Sequence, residues 1–370
     1  MNTDRIVIIG AGMAGAATAY FVTRKGQRNV LILEKERIAG TQSTGRNAAI
    51  LRTMIPHPLL NRIARQSAGF HYHPPEGFSS EPLVDPVGIY LAAREEHAET
   101  LQSWCDDNSE AKLDRGDASR LYRQIPVLGP GLVSTVFKAD DGVLDVHAIL
   151  QGFLGGARRE GAEIRFGCRF RSLEIRDGRL AGVDTSDGFI EASKVVVANG
   201  GWASLSECFR GYSLPITPYR RHLLITEPLP QVNPRWPVVW VVGDEFYFRP
   251  ESGGLLMSGC DAVKVSVAQG ELTDQEELER IAAKAARWLP SLADARVARA
   301  WAGMRTFAPD DMFVIGADPR LSGLYWVAGL GGHGITCSPF IGNLAAEWIV
   351  EGGSRNPAAA IMAPHRLIGK

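Results

Sequence analysis

The sequence has few cysteines, and nothing in their spacing would use them together. The five cysteines are scattered, odd in number and never spaced as CxxC: Cys105, Cys168, Cys208, Cys260 and Cys337. This argues against a disulfide framework and against a zinc cluster. We therefore expect a reducing compartment and no metal site.

An excess of one charge and long apolar runs are also missing. The formal net charge is -1, and 22% of the residues are charged, so the composition indicates no nucleic-acid partner. No apolar run reaches the ~18 residues of a membrane-spanning helix, and the residues before the first glycines are too few for a signal peptide. We expect a cytoplasmic protein. Peripheral membrane contact through a surface patch stays open.

The order of predicted elements indicates a discontinuous α/β fold. At 370 residues the chain exceeds the usual size of one core. A buried strand at 6–9, a helix at 11–25 and a strand at 30–33 predict a βαβ start. Further strands with a parallel-sheet texture are predicted at 163–166, 194–198 and 324–328, and an apolar helix at 338–350.

The segments between these strands have a different texture. They predict hairpins, then strands with alternating or aromatic-rich faces, and a helix opened by a capping box at Thr273 and Glu276 that buries Leu278, Ile281, Ala282 and Ala285. The ranges of these strands are 172–176, 181–186, 189–192, 87–92, 214–227, 238–249 and 254–260. We expect an antiparallel-sheet substrate domain that interrupts a Rossmann-like domain twice.

The motif IGAGMAG predicts a dinucleotide cradle. Gly10 permits the tight turn from strand to helix, Gly12 lets the backbone approach a pyrophosphate, and Gly15 lets the helix pack closely on the sheet. The helix N-terminus offers N–H groups to the phosphates, and Glu34 ends the second strand where a carboxylate accepts from ribose hydroxyls. The alternative is a Gly-rich turn in an α/β fold without a dinucleotide.

The segment STGRNAA at 43–49 favours FAD over NAD. It follows the βαβ unit directly with small polar residues, Arg46 and two alanines, which suits it to lie along a flat ligand and bind its phosphates or ring edge. An NAD enzyme has no evident need for this segment.

With these residues the chain resembles the D-amino-acid oxidase-like (DAO) FAD-dependent oxidoreductases. It looks most like the D-arginine-type D-amino-acid dehydrogenases, and it is similar to glycine and sarcosine oxidases. The resemblance spans the whole chain in order, through IGAGMAG, LEKE, STGRNAA, 141–150, VVVANGGW at 195–202, YRR at 219–221, EFYFRP at 245–250, WAGMRTF at 301–307 and WVAGLGGHGI at 326–335.

The resemblance implies a glutathione-reductase-type FAD domain at 1–82, 143–213 and 309–370, and a substrate domain at 83–142 and 214–308. The flavin would lie against a Gly-rich loop whose N–H groups, at Gly331, Gly332 and Gly334, precede a helix. Gly303 stands where some relatives carry a flavin-linking cysteine, so we predict non-covalent FAD. The cofactor residues implied are Gly10, Gly12, Met13, Ala14, Gly15, Glu34, Lys35, Ser43, Thr44, Arg46, Asn47, Ala48, Ala49, Phe170, Asn199, Gly200, Trp202, Gly331, Gly332, His333, Gly334, Ile335 and Thr336.

The resemblance also implies a carboxylate clamp. Arg305, between apolar and small residues, is costly to bury unless an anion meets it, and its fork matches a carboxylate. Tyr247 and Arg221 match family residues near the same carboxylate, and Arg220 should face the other side of its strand. His333 matches a position beside the flavin. The candidate catalytic residues are therefore Arg305, Tyr247, Arg221 and His333.

The predicted pocket walls are apolar, which departs from an enzyme for D-arginine. The matched positions are Ile50, Arg52, Ile89, Val238, Trp240 and Gly332, with Ile55 beside them. Arg52 offers a site for a second carboxylate, although a long arginine more often extends to solvent. We expect a neutral, apolar D-amino acid, with a dicarboxylic or N-methylated substrate left open.

These residues predict FAD-dependent oxidative deamination of a D-amino acid. Hydride leaves Cα for flavin N5, and the imino acid hydrolyses to a 2-oxo acid. The electron acceptor, O₂ or a quinone-type carrier, stays open. The alternatives are a same-fold enzyme for a secondary amine or a 2-hydroxy acid, an NAD-dependent dehydrogenase, and a non-catalytic FAD-binding electron-transfer subunit of a larger amine dehydrogenase.

Overall fold

A computed structural model describes residues 4–106 and 112–369. Most strands are short. In chain order they are β1 Ile6–Ile9, β2 Val30–Leu33, β3 Ile50–Leu51, β4 Val84–Asp85, β5 Ile89–Ala93, β6 Asp114–Asp117, β7 Ser134–Lys138, β8 Gly142–Leu144, β9 Glu163–Arg165, β10 Phe170–Arg176, β11 Arg179–Thr185, β12 Gly188–Glu191, β13 Lys194–Val197, β14 Thr217–Thr226, β15 Val238–Val242, β16 Phe246–Glu251, β17 Gly254–Ser258, β18 Val263–Lys264, β19 Val297–Phe307, β20 Val314–Ala317 and β21 Leu324–Ala328.

The helices flank these strands, and none of them within the described ranges is long and apolar enough to cross a membrane. The α-helices are α1 Met13–Arg24, α2 Pro58–Tyr72, α3 Ala98–Asp106, α4 Ser119–Gln124, α5 Val146–Arg159, α6 Gln275–Trp288, α7 Ser338–Glu351 and α8 Ala358–Met362.

A six-stranded sheet in the order β20-β21-β13-β1-β2-β9 carries the predicted βαβ start. Its strands run parallel except β20, which pairs antiparallel with β21. In β1, Ile6 and Ile8 pack on the helical side, while Val7 and Ile9 pack towards β10–β12. Both faces are therefore covered, which explains why these strands are uninterrupted apolar runs.

A nine-stranded sheet follows the order β18-β14-β17-β16-β15-β5-β7-β6, with β19 beside β14. The predicted antiparallel sheet is mixed, because β15 pairs in parallel with β5. All its strands come from 83–142 and 214–308, and all strands of the six-stranded sheet come from the other segments. The predicted domain boundaries agree with this division of strands and stay a prediction.

Two local predictions in this sheet region are wrong. The run 238–249 forms two strands, because a turn at Gly243 (φ 86°) and Asp244 separates β15 from β16. Helix α6 is capped by Asp274, whose side chain accepts from the Glu276 N–H, so Thr273 is not the cap. Ile281 and Trp288 are buried on that helix, whereas Ala282 is exposed.

Candidate active site

A cavity of about 480 Å³ lies across the carboxyl ends of β1, β2, β13 and β21 and reaches β14, β16 and β19. Such strand ends are where open α/β sheets bind ligands. Most of the predicted cofactor residues line it: Gly10, Gly12, Met13, Ala14, Glu34, Lys35, Ser43, Thr44, Arg46, Asn47, Ala48, Phe170, Asn199, Gly200, Trp202, Gly331, Gly332, Gly334 and Ile335. Gly15, Ala49, His333 and Thr336 do not line it.

Two of the three cradle glycines have no room for a side chain, and the third borders the cavity. Gly10 has φ 104°, and a Cβ there would lie 2.8 Å from the Ala198 carbonyl oxygen. A Cβ on Gly15 would lie 1.9 Å from the Gly10 carbonyl oxygen, whereas one on Gly12 would meet only the Thr44 hydroxyl at 3.3 Å. Gly15 therefore serves the packing of helix on strand, and Gly12 leaves its space to the cavity.

Glu34 is held by backbone donors at the end of β2. Its side chain is 8% exposed, and its two oxygens accept from the Ala11 N–H at 2.9 Å and the Glu36 N–H at 3.0 Å. Each carboxylate oxygen retains a further lone pair for a ribose hydroxyl. The prediction of free first-turn N–H groups needs correction, since the Met13 N–H donates to Thr44 Oγ1 at 3.0 Å.

Arg46 lines the cavity, but its guanidinium nitrogens are already engaged by the protein. Its Nε and Nη1 donate to the carbonyls of Thr41 and Ala302, both at 3.2 Å. Its Nη2 pairs with the Glu271 carboxylate at 2.8 Å. All three nitrogens thus have protein acceptors, and the ion pair fastens the STGRNAA segment to the loop before α6.

The cavity wall also carries polar atoms that need a ligand. Thr41 Oγ1 and Asn199 Oδ1 are buried without a hydrogen-bond partner, and both residues line the cavity. Lys35 Nζ lies 3.8 Å from the centre of the Trp202 ring, so the same wall presents a positive charge next to an aromatic ring. A dinucleotide with hydroxyls, phosphates and a planar ring fits these residues.

The Gly-rich loop after β21 supplies fewer free amides than predicted. The Gly331 N–H donates to the Thr306 carbonyl at 2.9 Å, and the His333 N–H donates to the Leu330 carbonyl at 2.8 Å. Gly331 and Gly332 have φ of 53° and 88°, and the loop turns beside Arg305: a Cβ on Gly332 would lie 2.8 Å from Arg305 Nε. The loop therefore runs from the cofactor end of the cavity to the end that contains Arg305.

Arg305, Arg221 and Tyr247 meet at that other end. Arg305 on β19 pairs with Tyr219, and Arg221 on β14 pairs with Gly303, so both arginines lie on the same face of adjacent strands. All three line the cavity. Burial and the charge of Arg221 lower the pKa of Arg305, and burial raises the pKa of Tyr247.

Neighbouring arginines on β14 point to opposite sides, as the strand period requires. Arg220 is 9% exposed and pairs with the Asp274 carboxylate at 2.9 Å, far from the lining of the cavity. Arg221 lines the cavity, and its Nε has no hydrogen-bond partner. Asp261 lies behind Arg221 and accepts from the His222 N–H and ring Nδ1, both at 2.8 Å.

Two predicted wall residues do not reach any ligand space. Ile89 and Val238 are 0% exposed and belong to a buried cluster with Met54 and Leu91. They face the core because β5 and β15 lie side by side in the sheet interior. Ile55 is 3% exposed and is likewise a core residue.

Ile50 and Trp240 lie nearer the clamp, together with Arg52. Both apolar residues pack against a small cluster that contains Tyr247, and the Trp240 and Tyr247 ring centres are 4.8 Å apart. The Arg52 guanidinium lies 4.2 Å from the Trp240 ring centre, and its Nε donates to the Met54 carbonyl at 2.8 Å. None of these three residues lines the cavity itself; they lie beside Tyr247, which does.

Two neutral histidines lie at the Gly-rich loop: His333 within it and His71 beside it. Burial and the charges of Arg52 and Arg305 lower the pKa of His333 to about 3. His71 on α2, which the sequence did not single out, is 1% exposed, and its Nε2 bonds the Thr336 carbonyl at 3.0 Å. Burial lowers the pKa of His71 to about 4, so its ring supports the loop without charge.

Other cavity residues also escaped the sequence reading. They include Gly40, Thr41, Gln42, Arg169, Arg171, Met304 and Thr306. A basic pair around Phe170 was the available signal for Arg169 and Arg171. For the others the single sequence carries no comparable signal.

The chain belongs to the DAO family of FAD-dependent oxidoreductases, whose model matches residues 5–348. It is 27% identical to glycine oxidase of Pseudomonas putida, over 91% of this chain and 92% of that protein. It is 26% identical to sarcosine oxidase subunit beta of Rhizobium meliloti, over 96% and 86%.

A solved structure of similar fold is that of iminodiacetate oxidase from Chelativorans sp. BNC1. The TM-score is 0.80 at 25% identity, covering 97% of this chain and all of that one. The family and the mixed α/β fold are therefore as predicted, and FAD is the family's cofactor. The more particular resemblance to D-arginine-type dehydrogenases stays a prediction.

Proposed function

We propose that the protein oxidises the carbon beside the amine of a small amino acid, with FAD as the first electron acceptor. The sequence predicts a D-amino acid, which is deaminated to an imino acid and then to a 2-oxo acid. The observation that carries the proposal is Arg305, a partly buried guanidinium on the cavity with no carboxylate within ion-pair distance in residues 4–106 and 112–369. A substrate carboxylate would supply the missing anion.

The roles of the chain's own residues follow from their places. Arg305 would bind the substrate carboxylate in two parallel bonds, Tyr247 would donate its hydroxyl, and Arg221 would add a second positive charge. His333 is neutral at physiological pH because of its lowered pKa, so it does not repel a positively charged amine of the substrate.

FAD, when bound, supplies the two-electron acceptor for this chemistry. We infer that it binds along Gly10, Gly12, Glu34, Thr41 and Asn199 without a covalent link. A Cβ on Gly303 would lie 2.9 Å from the Arg46 carbonyl oxygen, so the position at which some relatives carry a cysteine has no room here for a side chain. Acid precipitation should release all the flavin into the supernatant.

A secondary amine of the glycine or sarcosine type is the second candidate. It is favoured by the names of the relatives, which include a glycine oxidase and a sarcosine oxidase subunit. An electron-transfer subunit without its own substrate is less favoured, because such a subunit has no need of a guanidinium pair at the end of the cavity.

Anaerobic reduction of the purified yellow holoprotein separates these proposals. D-amino acids, L-amino acids, glycine, sarcosine and 2-hydroxy acids are mixed with it in a stopped-flow instrument, and bleaching of the flavin is followed. Bleaching by an amino acid of one chirality supports deamination, and bleaching by sarcosine alone supports the second candidate. A colourless protein that takes up no FAD, or a flavin that none of these compounds bleaches, would overturn the proposal.

A further inference from the structure

Arg305 and Arg221 line the substrate end of the cavity and Arg52 lies near them, so this region holds more positive charge than one carboxylate can balance. Burial and the charge of Arg221 lower the pKa of Arg305, and burial and the charge of Arg305 lower the pKa of Arg52. In the described part of the chain, none of the three has a carboxylate within 4.0 Å. All three are partly buried, and cations that are partly removed from water are normally paired, so this arrangement favours anions from a ligand.

Arg52 lies beside the clamp, although it does not line the cavity itself. It follows β3, and the centre of its guanidinium lies 4.2 Å from the Trp240 ring centre and 5.6 Å from that of Trp104. Trp240 lies opposite Tyr247 in the sheet, and the two rings are in contact. One aromatic side chain thus separates the Arg52 guanidinium from the tyrosine that lines the cavity.

The acids nearest Arg52 do not neutralise it. Asp141 is 0% exposed, and its two oxygens accept from the Thr53 N–H and hydroxyl at 2.8 Å, with Lys138 Nζ 4.0 Å away. Glu245 is exposed on the turn between β15 and β16. Of the donors on Arg52, only Nε has an acceptor in the described residues, the Met54 carbonyl, so the outer Nη groups remain for a ligand.

We propose that Arg52 binds a second carboxylate, so that the preferred substrate is an amine that carries two carboxylates, one on Arg305 and one on Arg52. The class covers acidic D-amino acids and secondary amines with two carboxymethyl arms. The contact with Trp240 restrains the guanidinium, and its two Nη groups are left for two parallel bonds to a carboxylate. The inference rests on the proposed function for the identity of the first carboxylate site.

The test compares matched pairs of ligands on the holoenzyme. The oxidisable pairs are sarcosine with iminodiacetate and D-alanine with D-aspartate, followed by anaerobic flavin reduction. The non-oxidisable pair is propionate with succinate, whose dissociation constants are measured by calorimetry and by the shift of the flavin spectrum. The variants are Arg52→Met, Arg52→Lys and, as a control, Arg235→Met, which removes an exposed arginine paired with Asp85 at 2.8 Å.

In the wild type we expect the dicarboxylic member of each pair to be favoured about 10- to 100-fold, as for one charged hydrogen-bonded pair. Arg52→Met should lose that preference, because the dicarboxylic member of each pair is weakened much more than the monocarboxylic member. Arg52→Lys should keep part of it, because the charge stays but the bidentate edge is lost. Arg235→Met should behave as the wild type.

Equal wild-type affinity for propionate and succinate would overturn the inference, as would an Arg52→Met variant that weakens both members of a pair equally. The latter would mean that Arg52 and Arg305 share one carboxylate.

If sarcosine and D-alanine bleach the flavin without a dicarboxylate preference, the proposed function stands and the inference fails. If no compound bleaches it, the proposed function fails, and the binding of succinate against propionate still decides the inference. Should Arg52→Met not take up FAD, the wild-type preferences and Arg52→Lys decide it.

Discussion

At the dinucleotide end of the cavity, the charged side chains of Glu34 and Arg46 have protein partners, whereas at the substrate end Arg305, Arg221 and Arg52 meet no carboxylate among the described residues. The first end is a preformed backbone surface that a ligand completes with hydroxyls and phosphates. At the second end, the positive charges have no carboxylate among the described residues to balance them. Removing a charge there should therefore alter ligand binding, while changes in the cradle should alter folding or cofactor retention.

The largest expected effect comes from Arg305→Met. Loss of one partner of a hydrogen-bonded charge pair typically costs about 2–5 kcal/mol, so kcat/KM for the best substrate should fall about 30- to 4000-fold. The FAD content and the thermal midpoint should stay near the wild-type values, because Arg305 makes no ion pair that holds the fold. Stopped-flow reduction and the flavin-to-protein absorbance ratio measure both. A variant with unchanged kcat/KM would remove Arg305 from the clamp.

Next is Gly15→Ala, which tests the cradle itself. A Cβ 1.9 Å from a backbone oxygen forces α1 away from β1, and we expect a loss of about 3 kcal/mol in unfolding free energy. Gly12→Ala is the matched control, since its Cβ meets only a hydroxyl at 3.3 Å. That variant should keep the stability of the apoprotein and bind FAD more weakly. Denaturant titration with and without FAD gives both values, and equal stabilities of the two apoproteins would contradict this account.

His71 should contribute to acid sensitivity. Its folded pKa of about 4 lies below the ordinary value of 6.5, so the unfolded chain binds the proton first and stability falls as the pH drops from about 6.5 to 4. The single-site contribution is at most about 3 kcal/mol. Asp141 acts in the opposite direction over part of this range, since burial raises its pKa to about 6.

The difference between wild type and His71→Gln isolates the histidine from Asp141. The variant should be less stable at pH 8, because the bond to the Thr336 carbonyl is weakened, but its stability should change less between pH 6.5 and 4. Thermal unfolding at four or five pH values measures this. Parallel stability curves for the two proteins would show that His71 does not titrate as described.

The smallest contrast compares Arg221→Met with Arg220→Met. Arg221 faces the cavity, so its loss should raise KM about 10-fold, a typical charge contribution. Arg220 does not line the cavity, and its ion pair with the partly exposed Asp274 contributes at most about 1 kcal/mol. Its variant should keep the wild-type KM. If both variants changed KM equally, the strand would not separate the two side chains as described.

The sequence predicted well what short-range patterns encode. Apolar runs identified β1, β2, β13 and β21 because a strand covered on both faces needs such runs, and the period of a strand separated Arg220 from Arg221. The pattern failed where long-range packing decides. Ile89 and Val238 were assigned to a wall, yet pairing of β5 with β15 buries them completely. No local signal shows that Arg52 lies over Trp240, since the two residues are distant in the chain.

The ion pair between Arg46 and Glu271, with the bond from Arg46 to the Ala302 carbonyl, ties the segment along the cofactor groove to the strand that carries Arg305. Occupants of the two compartments therefore share one mechanical connection. If an occupant of one compartment restrains this connection, thermodynamic reciprocity requires that each occupant tighten the binding of the other by the same factor.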